Sequence, residues 1–156
     1  MPAGAGRELL RPPQQGDVDA GELRHVHVLQ LPFDDGLVAN GASDILPAHD
    51  AVLKLLAQSS PPTAIITANN KMTIGAVRAL REAGRRVPED MALAGFDDFE
   101  WADSFEPRLT LISQPCEQIG AKAVQLLLKR IESPERNPRT IRLAPVLNIR
   151  NSCGCT

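Results

Sequence analysis

Three places in the sequence join a short apolar run to polar side chains able to grip a small ligand. Residues 63–68 run into Asn69-Asn70, residues 91–96 into Asp97-Asp98, and residues 109–112 into Ser113-Gln114. Runs this short, bounded by turn chemistry, read as strands buried on both faces. In an open α/β sheet, groups just beyond the carboxyl ends of parallel strands share one edge, where such sheets bind ligands. An amide supplies donors and an acceptor, an ionised carboxylate acceptors only. That inventory suits neighbouring hydroxyls of a sugar or nucleoside better than a phosphate, which calls for Lys, Arg or a glycine-rich loop. Asn and Asp after strands also serve as helix caps and turn formers. The sign of function is the three sites in register, more than any one of them.

Other chemistry is thinner. His25 and His27 stand two apart in an alternating stretch, the spacing of a ligand pair on one strand face, but no third ligand accompanies them and solvated histidines explain them as well. Asp34-Asp35 is a second carboxylate pair after a strand-like run. Cys116 stands alone at an expected helix start, and Cys153-Gly154-Cys155 reads as a frayed tail in preference to a soft-metal or redox site. The sequence lacks a Gly-x-Ser-x-Gly elbow, a phosphate loop and a His-Glu-x-x-His motif. Adjacent carboxylates could hold Mg²⁺ or accept a phosphoryl group, but the lysine such a site needs at another strand end is missing after Ile66 and Ile112. No metal, cofactor or catalytic residue is expected.

The elements that must position these groups follow from periodicity. Residues 1–23 are rich in Pro and Gly and read as a poorly ordered arm, with residues 24–156 as the folded part. Residues 24–31 alternate as a strand. Residues 47–58, 71–83 and 115–132 carry apolar stripes at helical spacing, and Gly84 is placed to end the second helix in the left-handed conformation. The third stripe is wide enough to predict a broadly buried helix. Phe99, Trp101 and Phe105, three of the five aromatics, follow Asp97-Asp98, and two short β segments, 140–143 and 146–150, close the chain. Strands alternating with helices through short loops predict an α/β fold with a parallel sheet flanked by helices.

Bulk properties narrow the class. The chain has 156 residues, 43% hydrophobic and 23% charged, as expected for one globular domain. With 17 basic and 19 acidic residues the formal charge is −2, which argues against this segment holding a nucleic-acid duplex by itself. Neither a membrane-length apolar run nor the apolar core of a secretion signal is present, so a cytoplasmic location is the default expectation.

The residues also resemble a known family. Pro62 through Ala76, with the order Pro-Thr-Ala-Ile-Ile-Thr-Ala-Asn-Asn-Lys-Met-Thr-Ile-Gly-Ala, is similar to the strand–Asn–helix segment of LacI/GalR bacterial transcription regulators. So are Val87-Pro88-Glu89-Asp90 leading to Gly95-Phe96-Asp97-Asp98, Pro107-Arg108-Leu109-Thr110 leading to Gln114-Pro115, and the ending Ile149-Arg150-Asn151-Ser152-Cys153. The likeness runs from about Asp44 to Cys153. It implies the carboxyl-terminal part of a periplasmic-binding-protein-like effector domain, in which two α/β lobes face a ligand cleft. By that resemblance Asn69 and Asp97 hydrogen-bond the effector, Gln114 and Cys116 lie beside the crossover near the cleft, and Phe33 stacks on the ligand ring. It also implies a homodimer that senses a sugar or nucleobase-like effector. The family's helix-turn-helix, its hinge and most of its amino-terminal lobe, with a cleft arginine, have no match here. DNA contact is therefore expected only through a domain absent from this chain. A sugar receptor for transport shares the implied fold, and a phosphotransfer-type α/β protein is the remaining alternative; the missing secretion signal and missing catalytic residues count against them.

Overall fold

A computed structural model describes residues 34–155, so the expected arm, the His25/His27 strand and Phe33 lie outside the described residues. The chain divides into two units, Met1–Asn40 and Gly41–Thr156. In the first, the described residues hold a single 3-10 turn, Asp35–Leu37, whose backbone is capped by Asp34: its Oδ1 accepts a hydrogen bond from Gly36 N at 2.8 Å. One member of the Asp34-Asp35 pair is thus spent on a turn.

The second unit begins with α1, Ile45–Leu56. It starts two residues earlier than the stripe predicts, because Asp44 supplies the N-cap, its Oδ1 accepting from Ile45 N at 2.8 Å. Pro47 then falls in the first turn, where a missing N–H costs nothing. Strand β1, Ala64–Thr67, leads into α2, Asn70–Glu82, and β2, Ala92–Phe96. Gly84 adopts φ +65, and the N–H groups of Gly84 and Arg85 donate to Arg81 O and Leu80 O, so α2 ends in the expected left-handed stop. After a 3-10 turn at Ala102–Ser104 come β3, Thr110–Ser113, α3, Cys116–Glu132, and β4, Val146–Asn148.

The sheet order is β1-β2-β3-β4. The first three strands are parallel, pairing Thr67 with Gly95 and Phe96 with Ile112, as the alternation of strands and helices predicts. The last strand departs from it: β4 runs antiparallel to β3, with Leu111 opposite Asn148 and Ser113 opposite Val146. Residues before Val146 therefore run past the end of β3 and have no ladder partner there, which is why the expected segment at 140–143 is not a strand.

One face of the sheet is the core. Ile65, Leu93 and Leu111 point from three strands toward α2, where Ala76, Ala79 and Leu80 meet them, and Val52 of α1 joins the cluster. The other face is open at β1, where Ile66 is 83% exposed, and covered at β3, where Thr110 is buried. The largest departure is α3. Its stripe of Val124, Leu127, Leu128 and Ile131 has the predicted spacing, yet these residues are 54–65% exposed and no residue of the helix is buried.

The two packed helices share a titrating link. His49 on α1 lies 3.0 Å from Asp50 Oδ1 through Nδ1 and 2.9 Å from Glu82 Oε2 on α2 through Nε2. The hydrogen bond to Asp50 and then that to Glu82 raise the imidazole above its ordinary value. A raised folded-state pKa stabilises fully below the unfolded value, about 6.5, and the gain is lost as pH rises through the folded value. Thermal melts from about pH 5.5 to 8.5 should therefore show a fall in Tm through and above that unfolded value that is absent in His49→Gln; parallel profiles would remove this link from the stability of the helix pair.

Candidate functional site

Local backbone chemistry builds the edge where β1, β2 and β3 end. At β1, Asn69 caps α2: its side-chain Oδ1 accepts from Met72 N at 2.9 Å. The Thr73 hydroxyl donates to Asn69 O at 3.0 Å and meets the Thr67 hydroxyl at 2.7 Å, fixing the turn from below. Gly95 leaves room for this pair, since a Cβ there would stand 2.6 Å from Thr67 Oγ1 and 2.7 Å from Thr73 Oγ1. The capping reading of Asn69 is thus realised. It uses only the side-chain oxygen, and Nδ2 remains a donor at the edge.

One strand over, Asp97 follows β2 with φ +69, a left-handed conformation that Asp tolerates better than most residues but still at a cost. The next strand supplies its partner: Gln114 Nε2 donates to Asp97 Oδ1. Sequence reasoning singled out both residues, and the structure brings them into contact. On the β1 side, Asn69 stands two residues past Thr67, whose ladder partner Gly95 stands two residues before Asp97. Cys116 is the first residue of α3, exposed, and its thiol makes no hydrogen bond to Asp97 or Gln114 among the described residues. Phe33 lies outside them.

The residue after Asp97 has a different task from its neighbour. Asp98 Oδ1 accepts from Phe99 N at 2.9 Å, so it does start the aromatic segment. Its main partner is Arg150, whose Nη1 and Nη2 donate to Oδ1 at 3.1 Å and Oδ2 at 2.8 Å, while Asn148 Nδ2 donates to Oδ2 at 2.7 Å. Burial pushes the Asp98 carboxyl up, but the Arg150 and Asn148 hydrogen bonds outweigh it and hold it below the ordinary carboxylate range. Arg150 is secured in turn by Asp103 Oδ1 at 2.6 Å and by Leu109 O at 2.7 Å. Beyond Asp98, Phe99, Trp101 and Phe105 pack together with ring centroids 4.5–6.1 Å apart, Trp101 stacked on Phe105 and Phe99 edge-on to Phe105.

Ser152 completes the frame at the opposite end of β2 and β3. Its backbone oxygen accepts from Leu93 N at 2.7 Å, and its hydroxyl donates to Leu93 O at 2.7 Å while accepting from Thr110 N at 2.8 Å. It is fully buried and wedges between the starts of β2 and β3, directly before the Cys153–Cys155 stretch that is expected to fray. Arg150, Asn148 and Ser152 escaped sequence reasoning as positioning residues, because a residue fifty positions from its partner leaves no local periodicity to read. For Arg150 and Ser152 the one signal was membership in the ending Ile149 to Cys153; Asn148, just before it, had none beyond its place in the expected β segment 146–150.

The candidate site thus offers strand-end side chains of mixed donor and acceptor character, and among the described residues no group of His, Cys, Asp and Glu is arranged to hold a metal ion. The chain belongs to the periplasmic binding protein-like domain family, which matches residues 19–153. It is 40% identical over 101 residues to the ribose operon repressor of Haemophilus influenzae, covering 65% of this chain and 30% of that protein. Among solved structures it is similar to a transcriptional regulator CelR–cellobiose complex, with TM-score 0.77, 32% identity, and coverage of 85% of this chain and 40% of that one. It is also similar to a LacI family transcriptional regulator from Enterococcus faecium with bound ribose, with TM-score 0.71, 29% identity, and coverage of 85% and 49%. The chain thus spans less than half the length of these relatives.

Two substitutions test the frame. Arg150→Ala strands a largely buried Asp98 carboxylate and should cost about 3 kcal/mol in urea unfolding; a loss under ~1 kcal/mol would mean that solvent replaces the guanidinium. Ser152→Ala leaves Thr110 N without its acceptor inside the sheet, and the same measurement should show a loss of about 1–3 kcal/mol, whereas an unchanged midpoint would show the wedge to be held by its backbone alone.

Proposed function

We propose that this chain is the carboxyl-terminal lobe of the effector-sensing domain of a LacI-type transcription regulator, and that it binds a sugar through Asn69, Asp97 and Gln114. The carrying observation is the Asp97–Gln114 pair, joined across two neighbouring strand ends with Asp97 in a left-handed conformation. That hydrogen bond orients the carboxylate while Oδ2 stays available as an acceptor. Asn69 Nδ2 donates beside it and Gln114 Oε1 accepts, which matches the alternating needs of vicinal hydroxyls. The bound ribose and cellobiose of the two structural neighbours support the sugar reading over a nucleobase. Cys116, at the start of α3, is assigned a flanking position.

In this reading the protein is not an enzyme and needs no cofactor. It works in the cytoplasm as a homodimer, and a helix-turn-helix domain outside this chain makes the DNA contacts. No helix among the described residues is long and apolar enough to cross a membrane. The exposed stripe of α3 is assigned to the interface with the other lobe of the domain. Sugar binding shifts the lobe arrangement, and the dimer passes that shift to DNA as a coupling free energy.

The test separates strain from binding. Differential scanning fluorimetry with ribose, cellobiose and related sugars should show a Tm increase with at least one of them. Asp97→Gly relieves the left-handed backbone, changes basal stability by no more than about 1 kcal/mol, and should abolish the increase. Asp97→Asn keeps the conformation and removes the charge, and should weaken binding by about tenfold or more. A ligand-induced increase unchanged in both variants would take Asp97 out of the site.

A further inference from the structure

We propose that Cys153 and Cys155 form a redox-active dithiol that closes to an intrachain disulfide by exchange with a low-molecular-weight disulfide. Cysteines two apart stand at most about 7 Å apart by Cα when extended, at the outer limit of disulfide geometry, about 4.4–6.8 Å. The intervening residue must therefore bend. Gly154 does, with φ +70, and its N–H donates to Asn151 O at 3.2 Å to close a turn. The turn folds the second cysteine back on the first: Cys155 N donates to Cys153 Sγ at 3.2 Å, and Cys155 Sγ donates to Cys153 O at 3.9 Å. Ser152, wedged between β2 and β3, fixes the base of the turn, so this geometry is built into the fold.

The two thiols are unequal. Cys153 is half-buried and Cys155 exposed. Burial pushes the Cys153 thiol up, but hydrogen bonds from Cys155 and Thr110 outweigh it and leave it below its ordinary value; its own hydrogen bond with Cys153 pushes Cys155 up. Cys153 is the attacking sulfur and Cys155 the resolving one. The Cys153 thiolate attacks one sulfur of the small disulfide, forming a mixed disulfide and expelling one small thiolate, which takes a proton. Cys155 then gives up its proton and attacks the Cys153 sulfur, forming the intrachain bond and releasing the second small thiol. Two protein thiols are oxidised and one small disulfide is reduced to two thiols. Closure also removes the S–H that Cys153 donates at 3.6 Å to the backbone oxygen of Arg150, the residue whose guanidinium holds Asp98.

The full chain is incubated with oxidised glutathione, acid-quenched, alkylated and read by intact mass and by sequencing of the carboxyl-terminal peptide. Free thiols should fall from three to one, leaving Cys116, with the mass lower by two hydrogens and the bond between Cys153 and Cys155. Cys155→Ser should stop at a glutathione adduct on Cys153, and in Cys153→Ser the adduct should form about tenfold more slowly. Cys116→Ser should behave as the parent chain. Adducts persisting on both cysteines without ring closure, disulfides between chains, or equal rates in the two single variants would overturn the proposal.

Discussion

Asp98 and Arg150 carry the geometry on which the candidate site rests. The pair joins the end of β2 to the carboxyl-terminal segment with two guanidinium hydrogen bonds, while Asn148 and Phe99 N satisfy the remaining carboxylate lone pairs. Side-chain exposures of 9% for Asp98 and 16% for Arg150 mean that both charges have given up most of their water. The desolvation cost of such a pair offsets much of its attraction, so its main contribution is to geometry. Asp98 N also donates to Ile112 O, which pins the backbone directly after Asp97 to β3. Asp97 is thereby held in a left-handed conformation, and its carboxylate meets Gln114.

The same logic of fully satisfied polar groups recurs beneath the edge. The Thr67–Thr73 hydroxyl pair sits where Gly95 has no side chain, and it passes its order to the Asn69 turn. Ser152 acts as a short piece of strand, taking over the ladder where β2 and β3 diverge. Among the described residues no buried side-chain polar atom lacks a partner. Each of these groups would be costly if left alone and is close to neutral when paired. They select one arrangement of three strand ends.

Periodicity made the framework legible. Three parallel strands, three helices and the left-handed stop at Gly84 all follow from apolar spacing and turn chemistry within ten to twenty residues. The candidate site residues Asp97 and Gln114 were legible for a related reason: position after a strand is a local property, and a parallel sheet aligns such positions. What escaped was non-local. Nothing near Asp98 in sequence says that its partner is Arg150, and nothing near Ser152 says that it enters the sheet. The direction of β4 was equally hidden, because two or three apolar residues do not encode parallel or antiparallel pairing.

α3 shows the other limit of pattern reading. Its stripe states that a partner is needed and leaves the partner unnamed. Burying four such side chains is worth about 1.5–3 kcal/mol each, and here they stand more than half exposed. Only Gln114 and Pro115 separate α3 from β3. In the two-lobed reading, a link this short keeps the start of the helix beside the strand end that carries the Asp97 partner. A ligand seated on Asp97 and Gln114 and a lobe seated on Val124, Leu127, Leu128 and Ile131 would then bias the same hinge, which is the physical requirement for one to report on the other.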